Sequence, residues 1–263
     1  MRQVILDYLK QIEQNENCRI LLAVESGSRA WGFESPDSDY DVRFIYVRPI
    51  EEYLKLEPIR DVIELPINDV LDINGWDLKK ALQLLRKSNP TVFEWFSSPI
   101  VYMCNPLTEK IRAIMQEYFS PKNVLWHYLS MARNNEKAYL QGETVKVKKY
   151  FYVLRPLLAC RWILENGTQP PMRFDELVDA ELEEGLKGEV CRLLDLKMNV
   201  QELKEIPRIE SLHAYIDRSM NEIEQRVQKL PRTEGNDWEP LNEFFLSVLR
   251  DMITEADALR RTL

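Results

Sequence analysis

The sequence predicts an α+β fold in which strands are confined to the first hundred or so residues and helices follow. Three observations carry this. Cys18 to Val24 is an almost unbroken apolar run, as expected of a strand covered on both faces. A second apolar strand, Tyr40 to Val47, follows a Gly-Ser turn and a polar loop. From Pro106 onward strand patterning disappears, and amphipathic helices are expected at about 107–118, 121–141, 146–165, 173–196, 209–230 and 238–260. This shift divides the chain into 1–108 and 109–263.

Taken in order, Val4, Ile5, Tyr8, Leu9 and Ile12 recur at helical spacing and give an opening helix that ends near Asn15 to Asn17. After the first strand, a small-residue turn leads to a short helix containing Gly32, then to a polar loop over Ser35 to Ser38. Pro49 closes the second strand, and Ile50 to Leu56 is a short helix candidate. Arg60 to Ile73 holds two extended pieces, DVIELPI and VLDI, broken near Pro66 to Asp69. Asn74 is the expected N-cap of the next helix, with Asp77 three residues on and Leu78, Ala81, Leu82 and Leu85 as its buried stripe. Asn89-Pro90 ends it, Thr91 to Phe96 makes another turn or two, and Pro99 opens a short apolar segment, IVYM. Pro156 is expected to bend or interrupt its helix just after Arg155.

Bulk composition narrows the class. A chain of 263 residues, 45% hydrophobic and 30% charged with 8 glycines, buries a core without disulfides and is not disordered. Its four cysteines form no CxxC pair, so buried free thiols are expected in place of a zinc site or a disulfide framework. Two histidines are too few for a histidine metal site and suit packing or surface roles. The opening segment, interrupted by Asp7, Lys10 and Gln11, suits an amphipathic helix and not a signal peptide, and no run approaches the ~20 apolar residues of a membrane span. A cytoplasmic protein with no membrane partner is expected. The net charge of −8 argues against broad non-specific binding to nucleic acid and leaves room only for a local basic cleft.

The chemistry concentrates in Gly27-Ser28, ten further residues, and Asp39-Tyr40-Asp41 at the start of a strand. Aspartates at i and i+2 on a strand share a face, so their carboxylates converge, and convergent carboxylates suit a hard cation such as Mg²⁺. The Gly-Ser turn offers N–H groups and a hydroxyl to a triphosphate. Adjacent metal and phosphate sites are what nucleotidyl transfer requires. Either half alone is common; the joint pattern is not. A second constellation, Lys148, Tyr152 and Arg155 at i, i+4 and i+7 with Lys149 alongside, is either a wall over a nucleotide or a basic face on an acidic protein. Arg29 is a candidate phosphate contact. Arg43, on the face of Asp39 and Asp41, is either an ion partner or a substrate contact. Trp31, Trp76, Trp95, Trp126 and Trp162 read as core or interface residues, not stacking platforms.

Gly-Ser after an apolar strand, followed by Ser-Asp-Tyr-Asp-Val opening another, resembles the signature of the DNA polymerase β-like nucleotidyltransferase superfamily. The stretches GSRAWGFESPDSDYDVRFIY, INGWDLKKALQLLRKSNPTVFEWFSSPIVY and KKYFYVLRPLLACRW resemble its branch of predicted nucleotidyltransferases, some associated with RNA repair (RlaP-type). The resemblance implies a small mixed sheet with flanking helices and an all-helical C-terminal domain closing over the cleft. It implies metal-binding acids at Asp39 and Asp41 and a third from a later strand: Asp72 first, with Asp77 and Glu64 as alternatives. Mg²⁺ or Mn²⁺ would be the metal, and an NTP, ATP foremost, the donor. Gly27, Ser28, Arg29, Lys148, Lys149, Tyr152 and Arg155 would bind the nucleotide. The acceptor would be a hydroxyl, an RNA 3′ end before a protein side chain or a small molecule. The rivals are a non-catalytic nucleotide binder on the same fold and a two-carboxylate hydrolase. The sequence sets no oligomeric state.

Overall fold

The first helix, α1 (Arg2–Asn15), buries Ile5, Leu9 and Ile12 and lays this stripe on one face of a five-stranded sheet. The computed structural model describes residues 1–66, 70–199, 205–231 and 237–262, with side chains to 253. The strands are β1 (Arg19–Glu25), β2 (Tyr40–Val47), β3 (Val62–Glu64), β4 (Leu71–Asp77) and β5 (Val101–Cys104), in the order β3-β4-β2-β1-β5. The sheet is mixed: β1 runs antiparallel to β2 and β5, β2 parallel to β4, and β3 antiparallel to β4.

The position of β1 explains its unbroken apolar run. Ile20 and Ala23 face the α1 layer, while Leu22 and Val24 face a second layer made by α4 (Leu78–Arg86), α5 (Pro90–Ser97) and α6 (Leu107–Met115). Both faces are therefore dry. At Gly75 an added Cβ would collide with the Phe44 ring, which packs across the neighbouring strand.

A separate apolar cluster joins α7 (Pro121–Tyr139), α8 (Val147–Asn166), α9 (Phe174–Glu181), α10 (Glu184–Asn199) and α11 (Glu210–Lys229) through residues such as Leu129, Phe151, Leu158, Leu177 and Ile216. The final helix, α12 (Glu239–Thr262), returns to the sheet layer, where Leu241, Phe244 and Val248 join the cluster of Leu78, Leu82 and Ile111. No helix among the described residues is long and apolar enough to cross a membrane.

Several local expectations are corrected. Asn74 lies inside β4 and does not cap a helix. The β2–β4 ladder continues to Asp77, so the backbone stays extended, and Asn74 turns its amide to Glu64 at 3.1 Å. Asp77 is the N-cap: its carboxylate accepts the Lys79 N–H and the hydroxyl of Tyr53, at the end of α3 (Ile50–Tyr53), each at 2.8 Å. Gly32 terminates α2 (Gly27–Trp31) in a left-handed conformation, φ 83°, and is not within it. Region 173–196 is two helices, parted at extended Leu182.

Pro156 does not interrupt α8. It cannot donate to the Tyr152 carbonyl four residues back, but the Asn135 side-chain amide on α7 reaches that oxygen at 3.4 Å. The C-terminal part also carries strands, β6 (Thr144–Lys146) and β7 (Glu205–Pro207), paired antiparallel. Three residues with one buried side chain, Val145, are too few for an alternating pattern. Of the cysteines, Cys160 is buried and Cys18 half-buried, whereas Cys104 and Cys191 are exposed. His213 packs beneath α8 with its Nε2 3.1 Å from the Tyr150 hydroxyl. Of the expected break at Pro66 to Asp69, residues 67–69 lie outside the described residues.

The junction at Asp77 gives a stability prediction. Asp77→Ala removes the cap of α4 and takes the acceptor from the Tyr53 O–H, whose oxygen still accepts the Arg48 N–H, and is expected to cost about 2 kcal/mol. Urea unfolding should show a lower midpoint with an unchanged slope.

Candidate functional site

At the end of β1 the chain turns sharply. Gly27 sits at φ +59°, a conformation a side chain disfavours, and a Cβ there would run into the Asp41 carboxylate. The turn and the acid are thus in direct apposition. They form one wall of a cleft of about 320 Å³, which Ser26, Ser28 and Asp39 also line. Trp31, Phe33, Arg43, Lys148, Tyr152 and Lys197 complete it. Two larger cavities, about 530 and 360 Å³, contain none of Gly27, Ser28, Asp39 or Asp41. Convergence of chemistry, not size, selects the smaller one.

The loop between the turn and the acids is held from three sides. Arg29 donates from Nε to the Asp39 carbonyl at 3.2 Å and from Nη2 to the Ser38 carbonyl at 2.7 Å, and its guanidinium lies 3.8 Å over the Tyr40 ring. Lys197, nearly buried on α10, donates to the Ser35 and Ser38 hydroxyls at 2.9 and 3.1 Å. Phe33 inserts into the helical cluster, with ring centroids 5.1 Å from Phe151 and 5.5 Å from Phe174. The helical layer therefore fixes the loop that delivers Asp39.

Asp39 directly precedes β2, and Asp41 is its second residue. In the parallel β2–β4 register Asp41 stands beside Asp72. One guanidinium spans both: Arg43 Nη2 lies 3.2 Å from Asp41 Oδ1 and 2.7 Å from Asp72 Oδ2, while Nη1 donates to the Val42 and Asp72 carbonyls at 3.1 and 2.9 Å. Burial pushes the Asp41 carboxyl above its ordinary value; Arg43 opposes the shift, and the Asp72 and Asp39 charges add to it. The other candidates for a third acid are elsewhere. Both Asp77 oxygens are committed to the α4 cap, and Glu64 lies exposed on the edge strand, paired with Arg60 at 2.6 Å.

The nucleotide-binding candidates divide. Gly27, Ser28, Lys148 and Tyr152 line the cleft, with Tyr152 edge-on to Trp31 at 6.4 Å. Arg29, Lys149 and Arg155 do not line it. The Lys149 ammonium lies between the Tyr139 and Tyr152 rings, 3.5 and 4.7 Å from their centroids. Arg155 is buried one layer deeper, 2.8 Å from Glu94 and 4.6 Å beneath the Trp31 ring. Sequence reasoning passed over Lys197 and Phe33 and read Trp31 as core. A lone lysine far along the chain carries no local signal, but Phe33, five residues beyond Ser28 in the motif loop, could have been suspected.

The donor set fits a hard divalent cation. It is all oxygen and acidic, with Asp39, Asp41 and Asp72 set against Arg43. Among the described residues no three such groups are already gathered as a metal-ready cluster, and Arg43 stands where Asp41 and Asp72 would meet.

The family model described as RlaP, RNA repair pathway DNA polymerase beta family, matches residues 1–247. A Bacillus subtilis (strain 168) relative, the uncharacterized protein YcgL, is 48% identical over 254 residues, spanning 96% of this chain and 98% of its own. The solved structure of a nucleotidyltransferase-like protein from Exiguobacterium sibiricum 255-15 covers 92% of this chain and 78% of its own at 12% identity, with a TM-score of 0.31.

The electrostatics of Asp41 give a prediction with a defined sign. A carboxyl raised on folding costs stability when ionised, so Asp41→Asn should stabilise the metal-free protein at neutral pH. The gain is full above the raised folded value, shrinks as pH falls through it, and disappears below the ordinary 3.8. Thermal unfolding of both proteins across that range checks it; a less stable Asn variant at neutral pH contradicts it.

Proposed function

We infer the activity from one premise: the chain belongs to the RNA repair pathway DNA polymerase beta family. It is a nucleotidyltransferase of the polymerase β type. We propose that it transfers a nucleoside monophosphate from an NTP, ATP foremost, to a hydroxyl acceptor, an RNA 3′ end foremost. The observation that supports this reading is the apposition of the Gly27-Ser28 turn with Asp41, so that a triphosphate held on the turn would lie beside a carboxylate and its cation. The acceptor oxygen bonds to the α-phosphorus, the bond from that phosphorus to the β-bridging oxygen breaks, and pyrophosphate leaves.

In this proposal Gly27 and Ser28 hold the triphosphate and Lys148 faces it from α8. Tyr152 and Trp31 form the wall beside base or sugar. Asp39 and Asp41 would hold the divalent cation, Mg²⁺ or Mn²⁺, and Asp72, level with Asp41 in the β2–β4 register, would be the third acid, sharing that cation and helping to take the acceptor proton. When bound, such a cation neutralises phosphate charge and lowers the pKa of an attacking hydroxyl. Arg29, Lys149 and Arg155 act as supports: Arg29 fixes the Asp39 backbone, Lys149 backs Tyr152, and Arg155 underpins Trp31. We assign catalysis to 1–108 and cleft closure to 109–263, supported by Lys148, Tyr152 and Lys197 reaching the cleft from the helical side. The packing of α12 on the sheet layer makes this a division of roles, not of cores.

One observation favours a second reading, a nucleotide binder without turnover: Arg43 already neutralises two of the three acids. The deciding experiment incubates the protein with each α-³²P-labelled NTP, Mg²⁺ or Mn²⁺ and total RNA, and resolves RNA, protein and small-molecule products. Label should move from ATP to RNA, and Asp39→Ala/Asp41→Ala should reduce it by at least ~1,000-fold, about 4 kcal/mol. Lys148→Ala should raise KM about tenfold, the loss of one charge-assisted contact. Label on protein or on a small molecule keeps the chemistry and discards the RNA acceptor. Binding without transfer establishes the second reading, and no binding overturns both.

A further inference from the structure

Glu25 closes β1 immediately before the Ser26-Gly27-Ser28 turn and is fully buried. A buried carboxylate is expensive, and an apolar side chain would fill the same space at less cost. Both of its oxygens are nevertheless used. Oε1 accepts the Asp41 N–H at 2.8 Å, and Oε2 accepts the Tyr102 hydroxyl from β5. Its carbonyl accepts the Ser98 hydroxyl at 2.6 Å, and the next N–H, that of Ser26, donates to the Asp41 carbonyl at 2.8 Å. Glu25 pairs with Val42 in the antiparallel register. Asp41 lies one residue beyond that pair, opposite Ser26, and its N–H goes to the Glu25 side chain. The main chain of Asp41 is thus fastened on both sides by the dipeptide that begins the Gly-Ser turn.

We propose that Glu25 is a positioning residue for the cation site, holding the Asp41 carboxylate against Gly27 through the Asp41 main-chain N–H. The inference rests on the proposed function, since it assumes that Asp41 holds a divalent cation. A leucine at position 25 would leave the Asp41 N–H and the Tyr102 hydroxyl without acceptors. A glutamine keeps an acceptor oxygen for the N–H, and the Tyr102 hydroxyl then turns to accept from its amide. The carboxylate therefore acts through geometry, and the amide should substitute for it.

The test is Mn²⁺ affinity, measured by electron paramagnetic resonance with ATP present, on wild type, Glu25→Gln, Glu25→Ala and Tyr102→Phe, each checked for folding by circular dichroism. Glu25→Gln should bind within about fivefold of wild type, the difference between a charge-assisted and a neutral hydrogen bond. Glu25→Ala should lose about 10- to 100-fold, as outer-shell losses at metal sites do. Its Asp41 amide should also exchange hydrogen faster. Tyr102→Phe, which keeps Glu25 but frees one oxygen, should fall between them and carries the test if Glu25→Ala does not fold. Wild-type affinity in folded Glu25→Ala or in Tyr102→Phe overturns the proposal, as does a loss in Glu25→Gln equal to that in Glu25→Ala. Failure of the wild type itself to bind Mn²⁺ with ATP overturns the functional reading, and this inference with it.

Discussion

The closeness of Gly27 to Asp41 is the constraint on which the rest of the site depends. A backbone at φ +59° with no Cβ leaves free the space that the Asp41 carboxylate occupies. That contact exists because β1 and β2 pair antiparallel up to Glu25 and Val42, bringing the end of one strand to the start of the other. The parallel partner β4 then brings Asp72 level with Asp41. Sheet topology alone thus sets two carboxylates side by side at the mouth of a turn.

Such a site costs stability, and the surrounding structure is arranged to bear it. Arg43 spans Asp41 and Asp72, while Glu25 fastens the Asp41 main chain from beneath. Across the cleft, the helical layer holds the motif loop through Phe33 and Lys197 and contributes Lys148 and Tyr152 to the opposite wall. Burial raises the Asp41 carboxyl, and the Asp72 and Asp39 charges add to it, so the ionised carboxylate opposes folding at neutral pH.

Much of this was legible in the chain. The unbroken apolar run of β1, the period of two through Asp39 and Asp41, and the acid between Leu71 and Ile73 each carry a local signal that tertiary structure preserves. What escaped was set by contacts distant in sequence. Lys197 meets Ser35 and Ser38 across some 160 positions, and nothing in its own helix announces that. Arg155 does share a helix face with Lys148, but seven residues advance a helix by about 10 Å, which carries Arg155 past the cleft to Glu94. Asn74 has the chemistry of a cap, yet the β2–β4 ladder had already claimed its backbone. The stripe of α12 declares a buried face without declaring that the sheet layer covers it.

The most direct measurement is a crystal structure with Mn²⁺ and a non-hydrolysable ATP analogue, using anomalous scattering to place the metal. The account predicts metal signal bounded by Asp39 and Asp41, with the triphosphate resting on Gly27-Ser28 and Lys148 across the cleft. Nucleotide bound in another cavity, or metal away from Asp39 and Asp41 with Arg43 still spanning Asp41 and Asp72, would contradict it.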